Sequence, residues 1–272
     1  TLKGFEWTGK MYPGPGHKAV YFATDGCHLM SRDDPKTSSS AGLLRECRHH
    51  SALAFPHHVG WTGADMENHC PETQTCWEII SCHGAYERLD DNQIITTRGD
   101  DKEGQFIADA LDKNLRFGFV GGSDGHGLSF HHGISRKQDS HRTGLTGFLS
   151  RDVTREGVID ALKKRRCFAT SGAKIALWFE VDGCPMGEEI LTGSEVPFRI
   201  SAVGTSQIIK LSLVSNGGIE THFEVNDASV NIQGILPPPP INGFAYYFVR
   251  LIQEDNEIAW SSPIWLDHPC SA

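Results

Sequence analysis

The sequence predicts an α/β protein followed by a small antiparallel β-sandwich. Two observations predict it. Through the first 172 residues, short apolar runs alternate with helical patterns, the signature of a parallel β/α arrangement. After Gly172 the helical period disappears, and β-rich runs separated by turn residues take over. The expected division is therefore 1–172 and 173–272, with the boundary near Ser171-Gly172-Ala173.

In the first part, Ala19-Val20-Tyr21-Phe22 reads as a buried strand, and Ser38 to His50 as a helix with Ser at its start and Leu43 and Leu44 on its apolar face. Leu53-Ala54-Phe55 leads into Pro56-His57-His58, and Trp77 to Ile80 is the next strand. Gly104 to Leu115 carries Phe106, Ile107, Ala110 and Leu111 at helical spacing. Phe117 to Val120 reads as a strand ending at Gly121-Gly122, and Thr154 to Arg166 as a helix with Val158, Ile159 and Leu162 on one face. In the second part the strands are Ile175–Val181, Val196–Val203, Ile208–Ser215, Phe244–Ile252 and Ile258–Trp260. Asp182-Gly183, Asn216-Gly217-Gly218 and Pro237 to Pro240 supply turns between them.

A net charge of −9 gives no overall field to attract nucleic acid or anionic membrane, so neither partner is expected. The one basic run, Lys163 to Arg166, ends a helix, where cations answer the dipole. No stretch approaches the ~20 apolar residues of a membrane span. Eight cysteines without C-x-x-C spacing lean towards free thiols in a reducing, cytoplasmic compartment. Histidine is the unusual quantity: of 14, all but His222 and His268 precede Gly172, which places metal or proton chemistry in the first part.

Gly121-Gly122-Ser123-Asp124-Gly125-His126 follows a strand directly, and the glycines free a loop on which Asp124 and His126 can aim at one point. A carboxylate and an imidazole together suit zinc, manganese or iron. Against this stands a plain Asp-Gly turn with a surface His. Pro56-His57-His58-Val59-Gly60-Trp61 also follows an apolar strand. Glu6 with His17 is a weaker pair across Gly- and Pro-rich sequence. Glu78, inside an apolar strand, must be paired, neutral or ligating. His83, His131, His132 and His141 read as solvent-facing, and Cys82 lacks the strand-to-helix elbow of a thiol nucleophile.

Taken together, Gly4-Phe5-Glu6-Trp7-Thr8-Gly9, Gly16-His17, Phe55-Pro56-His57-His58, Trp77 to Gly84, Gly122 to His126 and Ala161 to Gly172 resemble the PHP (polymerase and histidinol phosphatase) superfamily, in its branch with a C-terminal β-domain. The resemblance implies a partial distorted (β/α)7, TIM-like barrel and a di- or trinuclear cluster of zinc, manganese or iron. It also implies a metal-dependent hydrolase acting on a small-molecule phosphoester, or alternatively on a carbamate, ester or amide. By motif, Glu6, His17, His58, Asp124 and His126 are the implied ligands, with Glu6 bridging and Asp124 also catalytic; His57, Glu78 and His83 are further candidates. Arg165 or Arg166 could clamp phosphate, with helix capping as the competing role. The family opens on a His-x-His strand that this sequence lacks. The expectation is therefore a fragment, or else a truncated metal-binding protein, that holds at most one tight ion and hydrolyses phosphoesters poorly alone.

Overall fold

A computed structural model describes residues 1–90, 94–97, 100–125 and 143–269. The chain starts as an antiparallel meander: β1 (Lys3–Thr8), β2 (His17–Phe22) and β3 (Ala52–Pro56). The long excursion between β2 and β3 holds α1 (Ser40–His49), which Ser39 caps by accepting from the Gly42 N–H. Leu43, Leu44 and Cys47 of α1 pack on Trp7, Val20 and Phe22, so the helix covers one face of this sheet. A single turn, α2 (Val59–Thr62), follows β3.

β4 (Cys76–Ser81) and β5 (Gly84–Ala85) form a short hairpin, and α3 (Ile107–Asp112) crosses over to β6 (Gly118–Gly121). β6 lies parallel to β4, the one β-α-β unit among the described residues. β7 (Leu145–Phe148), α4 (Arg155–Lys163) and β8 (Cys167–Thr170) come next, with Thr154 capping α4.

The remainder is strand: β9 (Ala176–Val181), β10 (Cys184–Pro185), β11 (Glu189–Leu191), β12 (Val196–Ser215), β13 (Ile219–Phe223), β14 (Asp227–Leu236), β15 (Phe244–Gln253), β16 (Ile258–Ser261) and β17 (Ile264–Asp267). The two runs expected at Val196–Val203 and Ile208–Ser215 are one strand of 20 residues whose register shifts between Val203 and Ile208. Through that irregularity β12 serves β9 and β14 with its first half, and β13 and β15 with its second. An 11-stranded sheet results, and it crosses position 172 because β8 pairs with β16.

This architecture overturns the expected (β/α)7, TIM-like barrel. The described residues are 41% strand and 14% helix, with four α-helices among them and a curled, largely antiparallel half-barrel. Parallel neighbours need a helical crossover, whereas antiparallel ones need only a reversal. Here α1 and α4 lie between strands that pair antiparallel or not at all with each other, so alternating strand and helix patterns do not imply parallel strands.

The largest core cluster draws on both parts of the chain. Trp77, Phe117 and Phe119 pack with Val214, Tyr246, Phe248, Trp260 and Trp265. Trp77 stacks on Phe117 at 4.4 Å, and Phe119 meets Phe248 edge-on at 5.2 Å. Around it, Arg250 bridges Glu87 and Glu220, and Arg116 forms a fork with Asp267 at 2.6 and 2.7 Å. No described helix is long and apolar enough to cross a membrane.

Candidate metal centre

Ladder register gathers the first donor group. β1 and β2 pair Glu6 with Ala19 and Thr8 with His17, putting Glu6 and His17 diagonally on one face. The β2–β3 pairing continues past Lys18–Pro56, and the His57 N–H reaches the His17 carbonyl at 3.4 Å. Glu6, His17 and His57 therefore cross three adjacent strands. His17 Nδ1 lies 2.9 Å from Glu6 Oε1, and His57 Nε2 lies 3.4 Å from the same oxygen.

His58 follows at the head of α2, with φ 37° and ψ 47°. That left-handed backbone turns its ring away from the strand direction and over Trp61 and His83. Its Nδ1 is held 3.2 Å from the Thr62 hydroxyl, leaving Nε2 to face Asp124 Oδ2 at 3.7 Å.

The second group comes from the ends of β4 and β6. The β4–β5 turn delivers Cys82 and His83, and the loop after β6 delivers Asp124 at φ 43°. His83 Nε2 meets Asp124 Oδ2 at 2.8 Å, and Cys82 Sγ contacts the Asp124 carbonyl at 3.6 Å. Gly122 makes the approach feasible: a Cβ there would stand 2.2 Å from Glu78 Oε2. Glu78 itself is buried, its Oε1 3.7 Å from His57 Nδ1.

Two clusters thus share a rim, Glu6/His17/His57/His58 and Cys82/His83/Asp124. Their donor set fits a divalent ion. Two ligands at ~2.1 Å from one tetrahedral ion stand roughly 3.4 Å apart, and the N···O separations here run from 2.8 to 3.7 Å. Three buried atoms at the rim, His57 Nε2, Glu78 Oε1 and His83 Nδ1, make no hydrogen bond among the described residues. Buried polar atoms rarely go unmatched, and a cation or a ligand donor answers the acceptors among them.

The electrostatics sort the side chains. The imidazole of His17, then that of His57, holds the Glu6 carboxyl well below the usual carboxylate range. Burial alone would lower the His57 imidazole, but the carboxylates of Glu6 and Glu78 outweigh it and raise it to about 10. Burial, reinforced by charge on His57, His17 and His83, pushes His58 far below the ordinary imidazole range. A neutral His58 is in the form that metal ligation requires.

Among the sequence-predicted residues, Glu6, His17, His58 and Asp124 converge, with His57, Glu78 and His83 beside them. His126, His131, His132 and His141 lie outside the described residues. Arg165 and Arg166 are not at the centre. Arg165 donates to the Gly187 carbonyl and Glu189, stacks on Trp265 at 5.2 Å and lies beside Gly118, at the opposite end of β6 from Asp124; Arg166 pairs with Glu188. His83, expected to face solvent, is buried at 5% exposure. The signal that points to it is its place just beyond the apolar strand β4, the same relation that His57 and His58 bear to β3.

A family model described as "Protein of unknown function (DUF3604)" matches residues 129–183. An uncharacterised protein of Chlamydia pneumoniae is 30% identical over 98% of this chain and 46% of its own length. Uncharacterised proteins of Chlamydia muridarum and Chlamydia trachomatis are 29% and 30% identical over 94% of the chain and 45% of their own length. The chain therefore spans less than half the length of these relatives.

Proposed function

We propose that this chain carries the metal centre of a divalent-metal-dependent hydrolase, with phosphoesters as the first substrate class. The observation that supports it is the shared rim of the two donor clusters, where His58 Nε2 faces Asp124 Oδ2 at 3.7 Å and Asp124 in turn holds His83. Glu6, His17 and His58, joined by His57 once it releases its proton, would hold one ion, and Cys82, His83 and Asp124 another. Thiolate and imidazole donors favour zinc, and the carboxylates also admit manganese or iron. Bound there, such ions lower the pKa of a water and neutralise charge developing on the ester oxygens.

The chain's own side chains supply the rest. Asp124 would keep Oδ2 towards the ion and His83, and its other carboxylate oxygen would align the attacking water and accept its proton. The Thr62 hydroxyl, 3.2 Å from His58 Nδ1, would hold that ring with Nε2 towards the ion. Cleavage of a carbamate, carboxylic ester or amide at the same centre is the second reading. One observation favours it: among the described residues no Lys or Arg lines the cavity beside His57 and Glu78, so none of them offers a guanidinium or ammonium clamp for phosphate.

The test is to strip the protein with chelator, reload it with zinc or manganese, and count bound equivalents alongside turnover of phosphomonoesters, phosphodiesters, carbamates and carboxylic esters. Chelator-sensitive turnover that drops at least 100-fold in Asp124→Asn is expected. Failure to retain any divalent ion, in a protein that is folded by circular dichroism, would overturn the reading.

A further inference from the structure

Directly beneath the donor clusters lies a cavity of about 220 Å³. His57 and Glu78 form its polar end, and Ala19, Tyr21, Phe55, Val120, Phe148 and Leu162 are among its apolar walls. Tyr21 and Phe55 lie diagonally side by side on its sheet wall, with ring centroids 5.5 Å apart. Because strand side chains alternate, Ala19 and Tyr21 of β2 and Phe55 and His57 of β3 point the same way, so one sheet face presents both the metal-facing row and the apolar wall. The small side chain of Ala19 leaves room that its neighbours do not fill.

We infer that this cavity is the substrate's specificity pocket and that it takes an uncharged apolar group of about one aromatic ring. The inference rests on the hydrolase reading for the word substrate. Three observations carry the chemistry. The volume exceeds the ~150 Å³ of a dry apolar cavity that accepts benzene. No Lys or Arg lines it among the described residues, and its one basic side chain, His57, sits at the metal end, which disfavours substrates carrying a second anionic group, such as bisphosphates, because that group would be left without a partner. Its one carboxylate among the described residues, Glu78, and His57 sit at the end shared with the donor clusters, so a ring packed against the Tyr21–Phe55 wall would project its ester linkage towards Glu6 and His58. The preferred substrate is an aryl or branched-alkyl ester of a small acid, and the ring, not the acid, sets the choice.

The experiment pairs turnover with a binding measurement. Metal-loaded protein is given phenyl phosphate, methyl phosphate and glycerol phosphate, and the corresponding phenyl and methyl carbamates. Separately, phenol binding to the metal-free protein is followed by saturation-transfer NMR, with contacts to Tyr21 and Phe55 as the readout. Burial of a ring predicts a kcat/KM preference for phenyl over methyl of roughly 10- to 100-fold. Val120→Phe and, independently, Val158→Phe fill the pocket and should abolish both the preference and phenol binding while leaving methyl ester turnover within about threefold. Phenol bound by the wild type and not by the variants, with no ester of any kind cleaved, would sink the hydrolase reading and leave the pocket standing. Equal turnover of phenyl and methyl esters, or no phenol contact to Tyr21 and Phe55 in the wild type, would overturn the pocket assignment whether or not the variants fold.

Discussion

Phe119→Ala tests whether the two parts of the chain are energetically one. Phe119 is fully buried in β6, and its ring packs edge-on against Phe248 of β15 at 5.2 Å and near Phe117 at 6.1 Å. Truncating a buried Phe costs about 3–5 kcal/mol, the upper end applying where the site cannot collapse. Here the ring is wedged between two sheets, each held by its own ladder, so little collapse is expected. At ~2.1 cal/mol/K per residue, unfolding 272 residues together carries roughly 570 cal/mol/K. The melting temperature should then fall by about 5–9 °C in one transition. Differential scanning calorimetry with near-ultraviolet circular dichroism is the assay. Two resolved transitions, one of them unmoved by the substitution, would refute the claim that the core joins residues before and after 172.

Thr62→Val removes the hydroxyl beside His58 Nδ1 and should weaken zinc or manganese binding by about 10- to 100-fold in chelator competition, with little change in melting temperature. Arg165→Met breaks contacts to Gly187 and Glu189 and should lower thermal stability while leaving metal affinity unchanged, because the guanidinium lies away from the donor clusters. For Glu220, burial pushes the carboxyl up, but Arg250, Arg88 and Lys210 outweigh it and hold it below its ordinary 4.5. The folded state therefore binds that proton more weakly than the unfolded chain, so the stabilisation is present above pH 4.5 and fades as pH falls through the folded value. Glu220→Gln should accordingly be less stable than wild type at pH 7, with the gap closing on acidification; a gap independent of pH in urea melts would count against it.

Local patterns proved legible where short-range physics decides them. Ser38 to His50 contains α1 with its Ser cap, and Thr154 caps α4 as its position before Val158, Ile159 and Leu162 implies. Trp77–Ile80 and Phe117–Val120 fall within a residue of β4 and β6. Strand partners were not legible, because pairing depends on chain reversals that periodicity does not encode. β7 and β8, for instance, join the large sheet through β16, about 90 residues later in sequence. Most of the proposed donors were marked by a shared position just after an apolar strand. His57 ranks behind His58 in sequence, and His83 reads as solvent-facing and only a further candidate, since only the fold shows that three strands carry Glu6, His17 and His57 in one row, and that the β4–β5 turn folds inward.

Two of the donors, His58 at φ 37° and Asp124 at φ 43°, occupy the left-handed region of backbone space without being glycine. Each such residue costs roughly 1 kcal/mol or more relative to a relaxed backbone. Random substitution screened only for heat resistance would then favour glycine or asparagine at positions 58 and 124, and the most thermostable variants recovered would be among the first to lose metal. Robustness and ligation pull in opposite directions at the same two Cα atoms, so a stabilised form of this protein should be built by changing residues elsewhere.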